Sequence, residues 1–65
     1  MKVLINDNPH EFAQDARLPD ALAAVQAVPP FAVAINKQFV PRSQYEQRAL
    51  QDNDRIEVIR PVTGG

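Results

Sequence analysis

Apolar residues recur at every third or fourth position in one stretch of this 65-residue chain, between Asp15 and Val28, where Leu18, Ala21, Leu22, Val25 and Val28 form a stripe. Elsewhere they alternate with other residues: Val3 and Ile5, then Phe31, Val33 and Ile35, then Ile56 and Val58. The first spacing is that of an amphipathic helix and the second that of strands burying one face. A chain this short has apolar surface for one core only, so one helix must cover several strands. Pro19 suits the start of the helix and Asp20 its first turn, where a carboxylate meets the positive end of the helix dipole. Pro29-Pro30 cannot continue a helix and marks its end.

Residues 1–6 read as a strand with Val3 and Ile5 inward and Leu4 outward. Asp7-Asn8 can turn the chain, and His10 to Ala13 return antiparallel with Phe12 in the core. Phe31 to Ile35 give a strand with a bulky inner face and a bare outer one, formed by Ala32 and Ala34. Asn36-Lys37 supply a turn into a short edge strand, Gln38-Phe39-Val40, which Pro41 halts. Ser43 to Ala49 have room for one helical turn, with Ser43 capping and Glu46 at the capping-box spacing. Tyr45 and Leu50 plug the bottom of the core. Asp52-Asn53-Asp54 form a turn before the last strand, residues 55–60, with Ile56 and Val58 inward and Ile59 outward. This order predicts an α+β roll in which a mixed sheet of four or five strands wraps one helix, the β-grasp pattern. The domain spans residues 1–61, and residues 62–65 form a flexible tail beyond Pro61.

Hydrophobic residues make up 45% of the chain, enough for a folded domain. Net charge is -1, which supplies no basic footprint for nucleic acid. With no cysteine in the sequence, disulfides, thiolate metal sites and side-chain sulfur chemistry are all excluded. No apolar run is long enough for a membrane span or a signal peptide, so the cytoplasm is the expected location. A domain of this size has little room to enclose a ligand, since small-molecule pockets take about 300 Å³ or more. A carrier or binding module is favoured over an enzyme. His10 stands alone, without a second ligand at metal-binding spacing. Asp52 and Asp54 lack the further oxygen donors of a Ca²⁺ loop, and Arg42, Arg55 and Arg60 read as solvated surface charges.

The two glycines of the whole sequence are its last two residues, Gly64 and Gly65. At average usage of about 7% glycine, such a pair arises by chance in roughly 0.5% of chains. A merely frayed end is the plain reading of it. The chemical reading starts from the missing Cβ, which leaves the Gly65 acyl carbon open from either side and lets the tail thread a narrow channel. Four extended residues reach about 14 Å, far enough to enter another protein's cleft while the body docks outside. A carboxylate is a poor electrophile and must first become a mixed anhydride with AMP, so a partner supplies ATP and the domain itself binds no cofactor. Strand parity also puts Leu4, Ala32, Ala34 and Ile59 on the open face of the sheet. Scattered surface apolar residues are usual; gathered together, these four would make a partner-docking face. A domain of this mass exposes roughly 4,100 Å² and a standard interface takes about 800 Å² per partner. Partners that share the tail therefore bind in turn.

From end to end the chain resembles the thiamine-biosynthesis sulfur carrier family, whose members are ubiquitin-like. The resemblance is carried by Val3-Leu4-Ile5-Asn6, by Ala34 to Arg42, by Asp52-Asn53-Asp54 ahead of Ile56 and by Gly64-Gly65. Tyr45 stands where the family often has Trp and Asn53 where it often has Gly; both are mild exchanges, since Tyr keeps an aromatic plug and Asn tolerates positive φ. The resemblance implies that an adenylyltransferase of the ubiquitin-activating type adenylates Gly65. A cysteine desulfurase relay then converts it to a thiocarboxylate, and thiazole synthase draws its sulfur for the thiazole of thiamine. Gly64 keeps the tail thin. Three alternatives remain open: a carrier like the small subunit of molybdopterin synthase, a ubiquitin-like modifier joined to lysines through Gly65, and an interaction module with an inert tail.

Overall fold

The computed structural model describes residues 1–61. Strands β1 (Lys2–Ile5), β2 (Asn8–Glu11), β3 (Ala32–Ile35), β4 (Gln38–Val40) and β5 (Arg55–Ile59) form one sheet in the order β2-β1-β5-β3-β4. β1 and β5 run parallel at its centre, and the other neighbours are antiparallel. One α-helix, α1 (Leu18–Ala24), and a 3₁₀-helix, Arg42–Gln47, complete the roll. The expected α+β architecture with five strands and one helix is what the chain adopts.

Both hairpins turn on two residues with positive φ: Asn6 and Asp7 at 49° and 69°, Asn36 and Lys37 at 52° and 68°. Two such residues in a row give the tight turn whose twist matches that of the flanking strands, and Asn and Asp tolerate the conformation best after Gly. The first turn lies one residue earlier than the sequence suggests, at Asn6-Asp7. Asn6 goes into the turn because its side chain has work there: Oδ1 accepts the Val58 amide at 2.9 Å, where β5 has run past the end of β1. Asn36 does the same on the other side of β5, its Oδ1 accepting the Arg55 amide at 3.0 Å.

Helix α1 is half the length of its apolar stripe. The amide of Leu18 donates to the Arg48 carbonyl at 2.8 Å, and Asp20 Oδ2 accepts the Arg17 amide at 2.8 Å, so the first turn is satisfied without a capping hydroxyl. At the other end Gln26 takes φ 54°, the Gln26 amide donates to Ala23 and the Ala27 amide to Leu22. That is a Schellman stop built on glutamine instead of glycine. It ends the helix before Val28, which is 64% exposed and not part of the core. The segment after β4 also departs from expectation: Arg42–Gln47 is a 3₁₀ turn in which the Pro41 carbonyl accepts the Gln44 amide, and Ser43 caps nothing.

Val3, Ile5, Val33, Ile35 and Ile56 from the sheet meet Leu18 and Ala21 of the helix in the core, with Leu50 closing the bottom. Phe12, Phe31 and Tyr45 pack against it half-buried. Asp54 is the one buried charged residue among those described. Its Oδ2 accepts the Gln51 amide at 2.8 Å and its Oδ1 accepts Asn36 Nδ2 at 3.0 Å, which ties the turn before β5 to the β3–β4 hairpin.

Candidate functional site

The core occupies one face of the sheet, and no described helix covers the other. On that open face the register sets Ala32 opposite Ile59, while Ala34 lies between Glu57 on β5 and Phe39 on β4. Phe39 is 70% exposed and Ile59 52%. Two large apolar side chains thus flank two alanines, forming a shallow trough in which a partner's side chains can settle close to the backbone. Leu4 shares the face and stands apart from the trough. It sits opposite Arg55 across the parallel ladder, half-buried in a cleft of about 290 Å³ walled by Asn6, Asp7, Lys37, Arg55 and Glu57. Three of the four residues that parity placed on this face are therefore neighbours, with charged β5 residues between them and Leu4. Parity says nothing about order across strands, and so Phe39, which completes the trough, was missed. Its signal was its place in a short edge strand, where the residue between two inward positions must point out.

Gly64 and Gly65, the expected acceptor and its neighbour, lie outside the described residues, as does the rest of 62–65. β5 runs from Arg55 toward Ile59 and ends beside Ala32, so Arg60 and Pro61 lead away at the trough end of the sheet.

The remaining chemistry-bearing residues have structural employment. His10 on β2 is half-buried, its ring stacked on Phe12 with centroids 6.2 Å apart. Asp52 Oδ1 accepts the Lys2 amide at 2.8 Å, and both carboxylate oxygens of Asp54 accept hydrogen bonds within the fold. Among the described residues no group of three or more His, Cys, Asp or Glu could hold a metal. Nor is any described helix long and apolar enough to cross a membrane.

Comparison with known proteins agrees with this architecture. In the crystal structure of a thiamine biosynthesis protein (ThiS) from Geobacter metallireducens, the match covers all of both chains with a TM-score of 0.81 at 20% identity. A solution NMR structure of a thiamine biosynthesis protein from the same organism gives 0.78 at 20% identity, over all of this chain and 88% of that one. These likenesses establish the ubiquitin-like β-grasp fold. In sequence, the chain is 35% identical over 66 residues to the sulfur carrier protein ThiS of Escherichia coli (strain K12), covering the full length of both. The family model of the ThiS family matches residues 3–65, both glycines included. The chain belongs to the ThiS family of sulfur carrier proteins.

Proposed function

We propose that Gly65 is the working group of this carrier: its carboxylate is adenylated, converted to a thiocarboxylate, and donates sulfur to thiazole formation in thiamine biosynthesis. The observation that carries the reading is the family match, which runs through residue 65 and so takes in the terminal glycine pair. Chemistry supports it as well. A carboxylate must be activated before sulfur can attack it, and activation of that kind consumes ATP on an enzyme. Loading and unloading therefore fall to partners: an adenylyltransferase of the ubiquitin-activating type that uses ATP, a cysteine desulfurase relay, and thiazole synthase, all in the cytoplasm. In adenylation the Gly65 carboxylate attacks the α-phosphate of ATP and pyrophosphate leaves. Persulfide sulfur then displaces AMP at the acyl carbon, and reductive cleavage of the resulting acyl disulfide by a thiol leaves the thiocarboxylate. The trough of Ala32, Ala34, Phe39 and Ile59 is the docking face, with Leu4 in its separate cleft as a second contact.

Intact mass measurement tests this. After incubation with the adenylyltransferase, ATP and a sulfur source, the carrier should show one oxygen exchanged for sulfur, mapped by fragmentation to Gly65. Lysine-linked adducts would instead identify a protein modifier, and an unchanged mass an inert tail.

A further inference from the structure

On the helix-bearing side of the molecule, away from the open face, the loop between α1 and β3 leaves apolar groups uncovered. Val28 is 64% exposed and is followed by the exposed Pro29 and Pro30. These prolines, with Phe31, Tyr45 and Arg42, line a pocket of about 200 Å³. Phe31 and Tyr45 are stacked, nearly parallel at 8° with centroids 6.0 Å apart, and form the aromatic wall of the pocket. Both are half-buried, so part of each ring remains available. Arg42 and Tyr45 also border a second hollow of about 480 Å³, shared with Pro19, Leu22 and Glu46, so the two adjoin across Tyr45 and make a groove.

Volume and charge together say what fits. The first pocket, at about 200 Å³, has room for one side chain, and the hollow of about 480 Å³ beyond Tyr45 has room for the chain that carries it, so the groove suits an extended peptide segment. The lining of the first pocket holds one ionised group, Arg42, and no acid, while Glu46 lies in the adjoining hollow. Among the described residues, no carboxylate lies within ion-pair distance of Arg42. A guanidinium at the edge of an apolar floor selects a carboxylate, which it can hold through two parallel hydrogen bonds. The groove also has a definite place. Phe31 directly precedes Ala32, which pairs with Ile59 at the end of β5, so the pocket sits at the end of the sheet from which the chain runs into residues 62–65.

We infer that this groove is a second protein-docking site, which takes from a partner protein an extended segment presenting an aliphatic or aromatic side chain next to Asp or Glu. The apolar side chain packs against the Phe31 and Tyr45 pair and the two prolines, and the neighbouring carboxylate pairs with Arg42. A protein gripped here and on the open face holds the domain from both sides of the sheet at the root of its tail. The site does not depend on Gly65 carrying sulfur, and its test leaves that question aside.

The probe is an end-blocked tetrapeptide Ser-Leu-Glu-Ser, titrated into the isotope-labelled full chain and followed by amide chemical shifts, with Ser-Leu-Lys-Ser as control. Binding should be fast and weak, with a dissociation constant on the order of 1 mM for so few atoms. Shifts should centre on Phe31, Arg42 and Tyr45, and the lysine peptide should bind at least tenfold more weakly. Arg42 is exposed, so Arg42→Glu should fold normally, and it should reverse the preference between the two peptides. Shifts centred on Ala34, Phe39 and Ile59 would overturn the proposal, as would affinity for the glutamate peptide unchanged in Arg42→Glu. Absence of shifts up to about 10 mM peptide, tenfold above the expected constant, would overturn it too.

Discussion

Asp54 shows how one residue can decide whether the strands of this sheet meet in register. It is buried, yet both carboxylate oxygens accept hydrogen bonds, one from the Gln51 amide and one from Asn36 Nδ2. Its own carbonyl accepts the Leu4 amide at 2.9 Å, so the same residue opens the parallel pairing of β1 with β5. Asp54→Ala leaves two donors unsatisfied in a part-buried site, at a cost of about 1–3 kcal/mol for a buried polar group that loses its partner. Urea unfolding should show a loss of about 2 kcal/mol or more, and Asp54→Asn, which keeps an acceptor, a smaller one. Little of this was legible in the sequence. Asp52-Asn53-Asp54 reads as a turn from composition, and a turn it is, with Asn53 at φ 70°. Burial of the third residue depends on Asn36, 18 positions away, and local pattern carries no information about that pairing. Alternation, by contrast, identified Val3, Ile5, Val33, Ile35 and Ile56 as core, because burying one face of a strand leaves a period-two record in the chain itself.

At the scale of elements, the sequence indicates type more reliably than extent. The apolar stripe from Leu18 to Val28 promised three to four turns, while α1 stops at Ala24. Leu22 and Val25 still pack against the core, so the stripe was a true record of burial for residues just past the helix as well as within it. The stop was hidden because the left-handed residue that ends the helix is Gln26, where glycine or asparagine would have announced it. Left-handed backbone costs a residue with a Cβ about 1–2 kcal/mol. Glycine removes that strain but loses more freedom on folding, offsetting roughly 0.5–1 kcal/mol. Gln26→Gly should therefore stabilise by up to about 1 kcal/mol, equivalent to a rise of about 4–8 °C in Tm for a domain near this size, measurable by calorimetry. The open sheet face makes a separate prediction, because its residues are displayed and not packed. Phe39→Asp and Ile59→Asp should each change unfolding free energy by less than about 0.5 kcal/mol, the range for surface positions away from structural features. If the trough docks partners as proposed, each substitution should nonetheless weaken binding to the adenylyltransferase by tenfold or more in a titration calorimeter. Equal binding by wild type and both variants would move the docking face elsewhere.

For the whole molecule, the division of labour between body and tail can be stated as two opposed substitutions. Among the described residues the buried core runs from Val3 to Ile56, with Val58 packed at its margin. At about 0.05–0.15 kcal/mol per residue, a domain of this length is stable by roughly 3–10 kcal/mol. Leu18 is fully buried at the centre of the helix–sheet contact, and Leu18→Ala should remove about 2–5 kcal/mol of that. The variant should be partly unfolded at physiological temperature and load sulfur poorly, in proportion to the folded fraction read by circular dichroism. Deleting residues 62–65 should do the reverse. Urea midpoint and slope should stay at their wild-type values, since the core from Val3 to Ile56 is kept, while thiocarboxylate formation falls below detection by intact mass. A folded body without the tail would still compete for the adenylyltransferase, so the truncated chain should act as an inhibitor of loading with an affinity set by docking alone. Each variant isolates one requirement: a body that positions the chain, and a terminus that reacts. A truncated chain that unfolds would show the two to be inseparable, and one that still gains sulfur would place the reacting group elsewhere than Gly65.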